Sequence, residues 1–127
     1  MSFSEVHFTV EFEVPTDFRA QFEQYATRLC EETERDEPGT WAYQWFWNAE
    51  GTRVVVRELF RDSAAILDHF NAPAFGECLP KMTERASVVR FEVYGDVSDE
   101  VLEALEGLPV TRYLPWRGVC RAPEATR

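Results

Sequence analysis

Glu58 and His69 are the pair in this chain whose types and spacing most readily do chemistry. Histidine titrates near neutrality, so a carboxylate close to it makes a pair able to take up a proton and hand it on. Both lie in the stretch EPGTWAYQWFWNAEGTRVVVRELFRDSAAILDHF, residues 37–70, which also holds three of the four tryptophans. It reads as turn, strand, turn, strand and helix. Residues 41–48 and 52–61 are rich in aromatic and β-branched side chains, as half-buried strands are, and Asn48-Ala49-Glu50-Gly51 supplies the turn between them. A loop of two residues (49–50) or four (48–51) sets Trp45 opposite Val54, Tyr43 opposite Val56 and Trp41 opposite Glu58, all on one face. A three-residue loop shifts that pairing. A carboxylate on an aromatic wall marks the place for a pocket.

The elements that hold this stretch are legible on either side. Val6, Phe8, Val10, Phe12 and Val14 alternate with Glu5, His7, Thr9, Glu11 and Glu13, the period of a half-buried strand. This arrangement places His7 on the polar side, at the surface or an interface. Pro15 closes the strand, and Thr16 or Asp17 is expected to cap a helix whose Phe18, Phe22, Tyr25 and Leu29 form one apolar stripe. That helix ends near Asp36, because Pro38 disfavours a helical Glu37 and Gly39 opens a turn. After the hairpin, Asp62-Ser63 caps a helix over residues 64–70, and Pro73 suits the start of another, which Pro80 is expected to kink or split. Residues 86–94 form a further strand, with Val89, Phe91 and Val93 on one face. Ser98 starts a short acidic helix that Gly107 ends, and residues 110–114 suit an edge strand.

The order β-α-β-β-α-β with a C-terminal extension predicts an α+β fold, a ferredoxin-like split β-α-β unit with an antiparallel sheet. The first and third strands are expected to be parallel neighbours, with Glu11 and Glu13 beside Arg57 and Arg61 on the face away from the helices. Phe46, Val55 and Leu59 share that face, which is too apolar for open solvent and suits a homodimer interface. The whole chain, 1–127, reads as one domain: a core over 5–94, an extension over 95–121 and a frayed tail over 122–127.

Composition narrows the partners. At 127 residues, one domain buries roughly two thirds of the surface its unfolded chain exposes. A net charge of −10 argues against nucleic acid and against anionic membrane surfaces. No apolar run reaches the length of a membrane span, and the N-terminus lacks a basic region followed by an apolar signal core, so a soluble cytoplasmic protein is expected. Cys30, Cys78 and Cys120 are odd in number and widely spaced, which disfavours a disulfide framework and a structural zinc site.

Three fragments carry a family resemblance: Glu37-Pro38-Gly39-Thr40 before the second strand, Glu58-x-Phe60 ending the third, and Asp62-Ser63 leading to His69-Phe70. Over residues 5–94 their order and spacing resemble the antibiotic-biosynthesis-monooxygenase-like proteins, of dimeric α+β-barrel fold. The resemblance implies oxidation of an electron-rich anthrone or quinol by dioxygen with no metal and no cofactor. The protein then needs a dry aromatic cavity, a base and a donor for developing negative charge. On that implication His69 is the base, Glu58 orients it and Tyr43 donates to the oxyanion. Trp41, Trp45, Val56, Phe70 and Phe75 bind the substrate. Where some quinol-oxidising members carry a second histidine, this chain has Pro73-Ala74-Phe75, which counts against that role. Haem degradation is weaker still, since the first strand has no asparagine and His69 is the only helical histidine available as an axial ligand.

Two other readings stand beside the oxygenase. A non-catalytic homodimer can hold a small aromatic or apolar ligand in the same cavity. A purely structural dimer can use Glu58 and His69 to tie helix to sheet, with the tryptophans as core.

Overall fold

The computed structural model describes residues 3–123, so the expected frayed tail lies mostly outside the described residues. The first strand, β1 (Val6–Glu13), buries Val6, Phe8, Val10 and Phe12 as its alternation requires. A 3-10 turn over Thr16–Phe18 leads into α1 (Arg19–Asp36), which buries Phe22 and Leu29 and leaves Tyr25 half-buried. Neither Thr16 nor Asp17 caps this helix. The Phe18 N–H donates instead to the Pro15 carbonyl, and Asp17 is held by the Arg85 guanidinium at 2.8 Å.

The hairpin pairs β2 (Thr40–Trp47) with β3 (Arg53–Phe60) two residues out of the expected register: Trp45 faces Val56, and Tyr43 faces Glu58. Asn48 is the cause. Its side-chain oxygen accepts from the Thr52 and Arg53 amides at 2.9 and 3.0 Å, and its own amide donates to the Arg53 carbonyl, which draws Thr52 into the loop. Gly51, at φ +70, makes the reversal. An even shift keeps every side chain on its face, so Tyr43, Trp45 and Glu58 still share the core side. Trp41 does not stand opposite Glu58, because it falls at a bulge between the pairs Thr40–Phe60 and Ala42–Leu59.

Asp62 caps α2 (Ser63–Phe70) by accepting from the Ala65 amide at 2.9 Å, as expected. Pro73 opens α3 (Pro73–Thr83), which runs through Pro80 without splitting. Proline deletes one intrahelical bond, and the Thr83 hydroxyl adds a bond to the Leu79 carbonyl at 3.0 Å beside it. In β4 (Ser87–Tyr94) a bulge against β1 changes the phase, so Val88 turns to the core and Val89 is exposed, contrary to the expected alternation. Ser98 caps α4 (Asp99–Ala104), and β5 (Val110–Tyr113) is the last strand among the described residues.

The sheet order is β2-β3-β1-β4-β5, a ferredoxin-like α+β arrangement with one added edge strand. β1 and β3 are antiparallel, not parallel. The crossover through α1 returns β2 in the direction of β1, and the hairpin then reverses β3. Glu11 and Glu13 therefore meet Arg53 at 3.3 and 3.0 Å, and Glu11 also meets Arg90 at 2.9 Å, rather than Arg57 and Arg61. β5 runs parallel to β4, so the sheet is mixed and not wholly antiparallel. The α4 connection supplies the crossover that a parallel pair requires. Among the described residues no helix is long and apolar enough to cross a membrane.

Candidate active site

The core face of the sheet and the helices over it line an open cavity of about 750 Å³, within the usual range for a small-molecule site. Tyr43 and Trp45 reach it from β2, Val56 and Glu58 from β3, His69 and Phe70 from α2, and Phe75 from α3. These are the residues expected from sequence, with one exception. Trp41, displaced by the bulge, is not on the cavity wall.

His69 is the hub. It is 1 % exposed, and a carboxylate stands at each ring nitrogen: Glu37 Oε1 at 2.7 Å from Nδ1, and Glu58 Oε1 at 3.4 Å from Nε2. Glu37 is the site residue that sequence reading misses: it enters there as a turn and as part of the family-like Glu37-Pro38-Gly39-Thr40 fragment, with no role at the site. The signal was there: a carboxylate at the junction of α1 and β2, one residue before the proline that fixes the backbone. Local structure holds it in place. The Glu37 amide donates to the Thr33 carbonyl, while its carboxylate accepts from the Thr40 hydroxyl at 3.1 Å and the Thr33 hydroxyl at 3.3 Å.

The two carboxyls are driven in opposite directions. Burial works to raise Glu37, but the hydrogen bond and charge of His69, with the two threonine hydroxyls, more than offset it and leave the group below its ordinary value. Glu58 has no such set of donors. Burial pushes it up to about 7, against the attraction of His69 and with the Glu37 charge adding to the rise. Glu37 is thus the ionised carboxylate of the two and accepts from Nδ1, while Glu58, which burial pushes up to about 7, lies 3.4 Å from Nε2. Environments that separate two carboxyls in this way are a common mark of acid–base sites. Burial, and next the Glu58 charge, raise the Tyr43 phenol well above its ordinary value, so it remains a hydrogen-bond donor. The Tyr43 and His69 rings meet edge to face at 4.9 Å, and Phe75 packs on His69 at 5.3 Å.

The two nitrogens of His69 face opposite carboxylates, so the three groups cannot converge on one ion. Among the described residues no cluster of His, Cys, Asp and Glu is arranged to hold a metal.

Comparisons with known proteins match this architecture. In structure, the chain is similar to MupZ from Pseudomonas fluorescens at 24 % identity and TM-score 0.73, over 97 % of this chain and 99 % of that one. A conserved protein from Methanosarcina mazei superposes with TM-score 0.66 at 19 % identity, covering 72 % and 91 % of the two chains. Rv0793 from Mycobacterium tuberculosis gives TM-score 0.64 at 21 % identity, over 76 % and 98 %. No curated protein matches the chain in sequence. A family model described as antibiotic biosynthesis monooxygenase matches residues 6–81, from β1 into α3, a span that contains Glu37, Tyr43, Glu58 and His69. The chain belongs to the antibiotic biosynthesis monooxygenase family.

Proposed function

We propose that this protein is a homodimeric, cofactor-independent monooxygenase that oxidises a small electron-rich aromatic of the anthrone or quinol type with dioxygen. The observation that carries the reading is the series Glu37–His69–Glu58, hydrogen-bonded at Nδ1 and 3.4 Å apart at Nε2, ending at an aromatic cavity. Glu37, rather than Glu58, orients the imidazole. His69 and Glu58 act together as the proton acceptor for the substrate, and the Tyr43 phenol donates to the oxygen that gains charge. Trp45, Val56, Phe70 and Phe75 position the rings and keep water out. For an anthrone-type methylene the balance closes without another reductant. The base removes a proton, the carbanion gives one electron to dioxygen, and the resulting radical pair joins as a peroxide anion, which takes the proton back from the base to give a hydroperoxide. Loss of water then turns CH2 into C=O, so one oxygen atom enters the product and the other leaves as water.

The dimer is supported by the sheet face opposite the cavity, where Phe46 and Val89 are exposed beside the Glu11, Arg53 and Arg90 ion pairs. Free thiols at Cys30, Cys78 and Cys120 suit the cytoplasm, a reducing compartment.

The test is oxygen uptake without added cofactor over anthrones, quinols and catechols, with tryptophan fluorescence followed on the same compounds. Uptake by the wild type that falls by about 10²–10⁴-fold in His69→Gln supports the oxygenase. Quenching without uptake of any compound sinks it in favour of a ligand-binding dimer. Neither signal leaves the structural dimer.

A further inference from the structure

The cavity runs across the sheet well beyond the proton-handling groups. On its core face Glu58 stands opposite Phe8, and Phe8 opposite Val93. In the next row Val56, Val10 and Phe91 lead to Val110 in β5. From β3 to β5 is three strand spacings, about 14 Å. Immediately before β5, the segment 104–109 places Ala104, Leu105, Leu108 and Pro109 on the cavity wall. The ionisable groups of the site all sit at the other end.

This far wall is anchored. Val101 and Leu105 of the α4 region are buried, and the Ser98 amide that begins the helix donates to the Ser63 hydroxyl of α2 at 3.0 Å. Gly107, at φ +86, reverses the chain so that Leu108 returns toward the cavity, a conformation that L side chains rarely adopt. The segment also lies beyond residue 81, where the family match ends.

We propose that residues 104–109 are the length-determining wall of the site, selecting a fused polycyclic aromatic over a single-ring quinol. The inference rests on the functional reading above and narrows it to one substrate class. A ligand held at Glu58 and His69 by a single ring leaves most of the cavity unfilled and the apolar far wall uncovered. Three fused rings span it and bury that wall. The far end offers no charge to pair with an ionic tail, so the end of the ligand remote from the reacting carbon is apolar.

The test compares anthrone with hydroquinone, by equilibrium quenching of tryptophan fluorescence and by oxygen uptake, in wild type, Ala104→Phe, Leu108→Phe and Leu108→Ala. Ala104 and Leu108 are exposed, so these changes leave the core intact. The wild type is expected to bind anthrone more tightly. Each phenylalanine should shift the ratio of the two affinities toward hydroquinone by about tenfold or more, the scale at which one extra apolar group is rejected. A ratio unmoved in both phenylalanine variants overturns the proposal, whether or not oxygen is consumed. Length-selective binding without uptake leaves the wall standing and removes the oxygenase reading. Quenching by neither compound in the wild type overturns the wall and the ligand site together.

Discussion

Gly39 and Ala65 touch so closely that a Cβ built on Gly39 would lie 2.7 Å from the Ala65 methyl. The contact joins the start of β2 to the first turn of α2. It is why α2 lies near enough for His69, one turn further along, to reach Glu37. Gly39 is needed for proximity, since its φ is not in the positive range.

Gly39→Ala should therefore act at a distance. Forcing a methyl into this contact costs about 1–3 kcal/mol by overpacking and moves α2 off the β2 junction. Urea denaturation should show the loss of stability. The His69 imidazole resonances should shift, although the substitution touches neither the ring nor its carboxylates. A shift confined to residues around position 39 would refute the link.

Glu37→Ala removes the partner of a buried imidazole N–H. The expected cost at neutral pH is about 1–3 kcal/mol, the scale for leaving a buried donor without its acceptor. The sign with pH is fixed by the lowered folded-state value of Glu37. Its contribution is fully present above the ordinary value near 4.5 and is lost as pH falls through the lower folded value. The stability gap between wild type and Glu37→Ala, measured by denaturant titration, should close on acidification below about 4.5.

Glu58 has the opposite sign. Folding raises its value from 4.5 to about 7, so between those limits the folded state binds a proton that the unfolded state has released. Stability conferred by the protonated form is present below 4.5, falls as pH rises through this window and levels off above it, a change of about 3 kcal/mol. Glu58→Gln should flatten the slope. Equal slopes in wild type and variant would show that Glu58 does not carry the proton.

The exposed sheet face predicts association. Phe46 is 51 % exposed there, and Phe46→Glu should convert a dimer to a monomer in sedimentation velocity while leaving the far-UV circular dichroism unchanged. A wild type that sediments as a monomer would remove the dimer from the proposed function.

The alternation of β1, the α1 stripe and the Asp62 cap could be read from the chain because each depends on local period or one side chain. Bulges have no such signature. The extra residue at Trp41 and the one near Val89 are set by how neighbouring strands must bend, and each turned a side chain away from its expected place. The hairpin register depended on one asparagine bonding two amides across its loop. Glu37 is hidden for another reason: its hydrogen bond to His69 comes from α2 arriving beside it, a contact between segments that no window of sequence contains. The direction of β1 against β3 was recoverable, since crossover and hairpin together dictate it.

The groups proposed to handle the proton come from the α1–β2 junction, β3 and α2, whereas the proposed far wall belongs to a later segment that contributes none of them. Mutational drift after residue 100 can therefore change which molecule fits without disturbing how a proton moves. Such a division favours divergence: duplicated copies inherit one chemistry and acquire different appetites, and a laboratory library aimed at substrate range can be confined to a handful of codons.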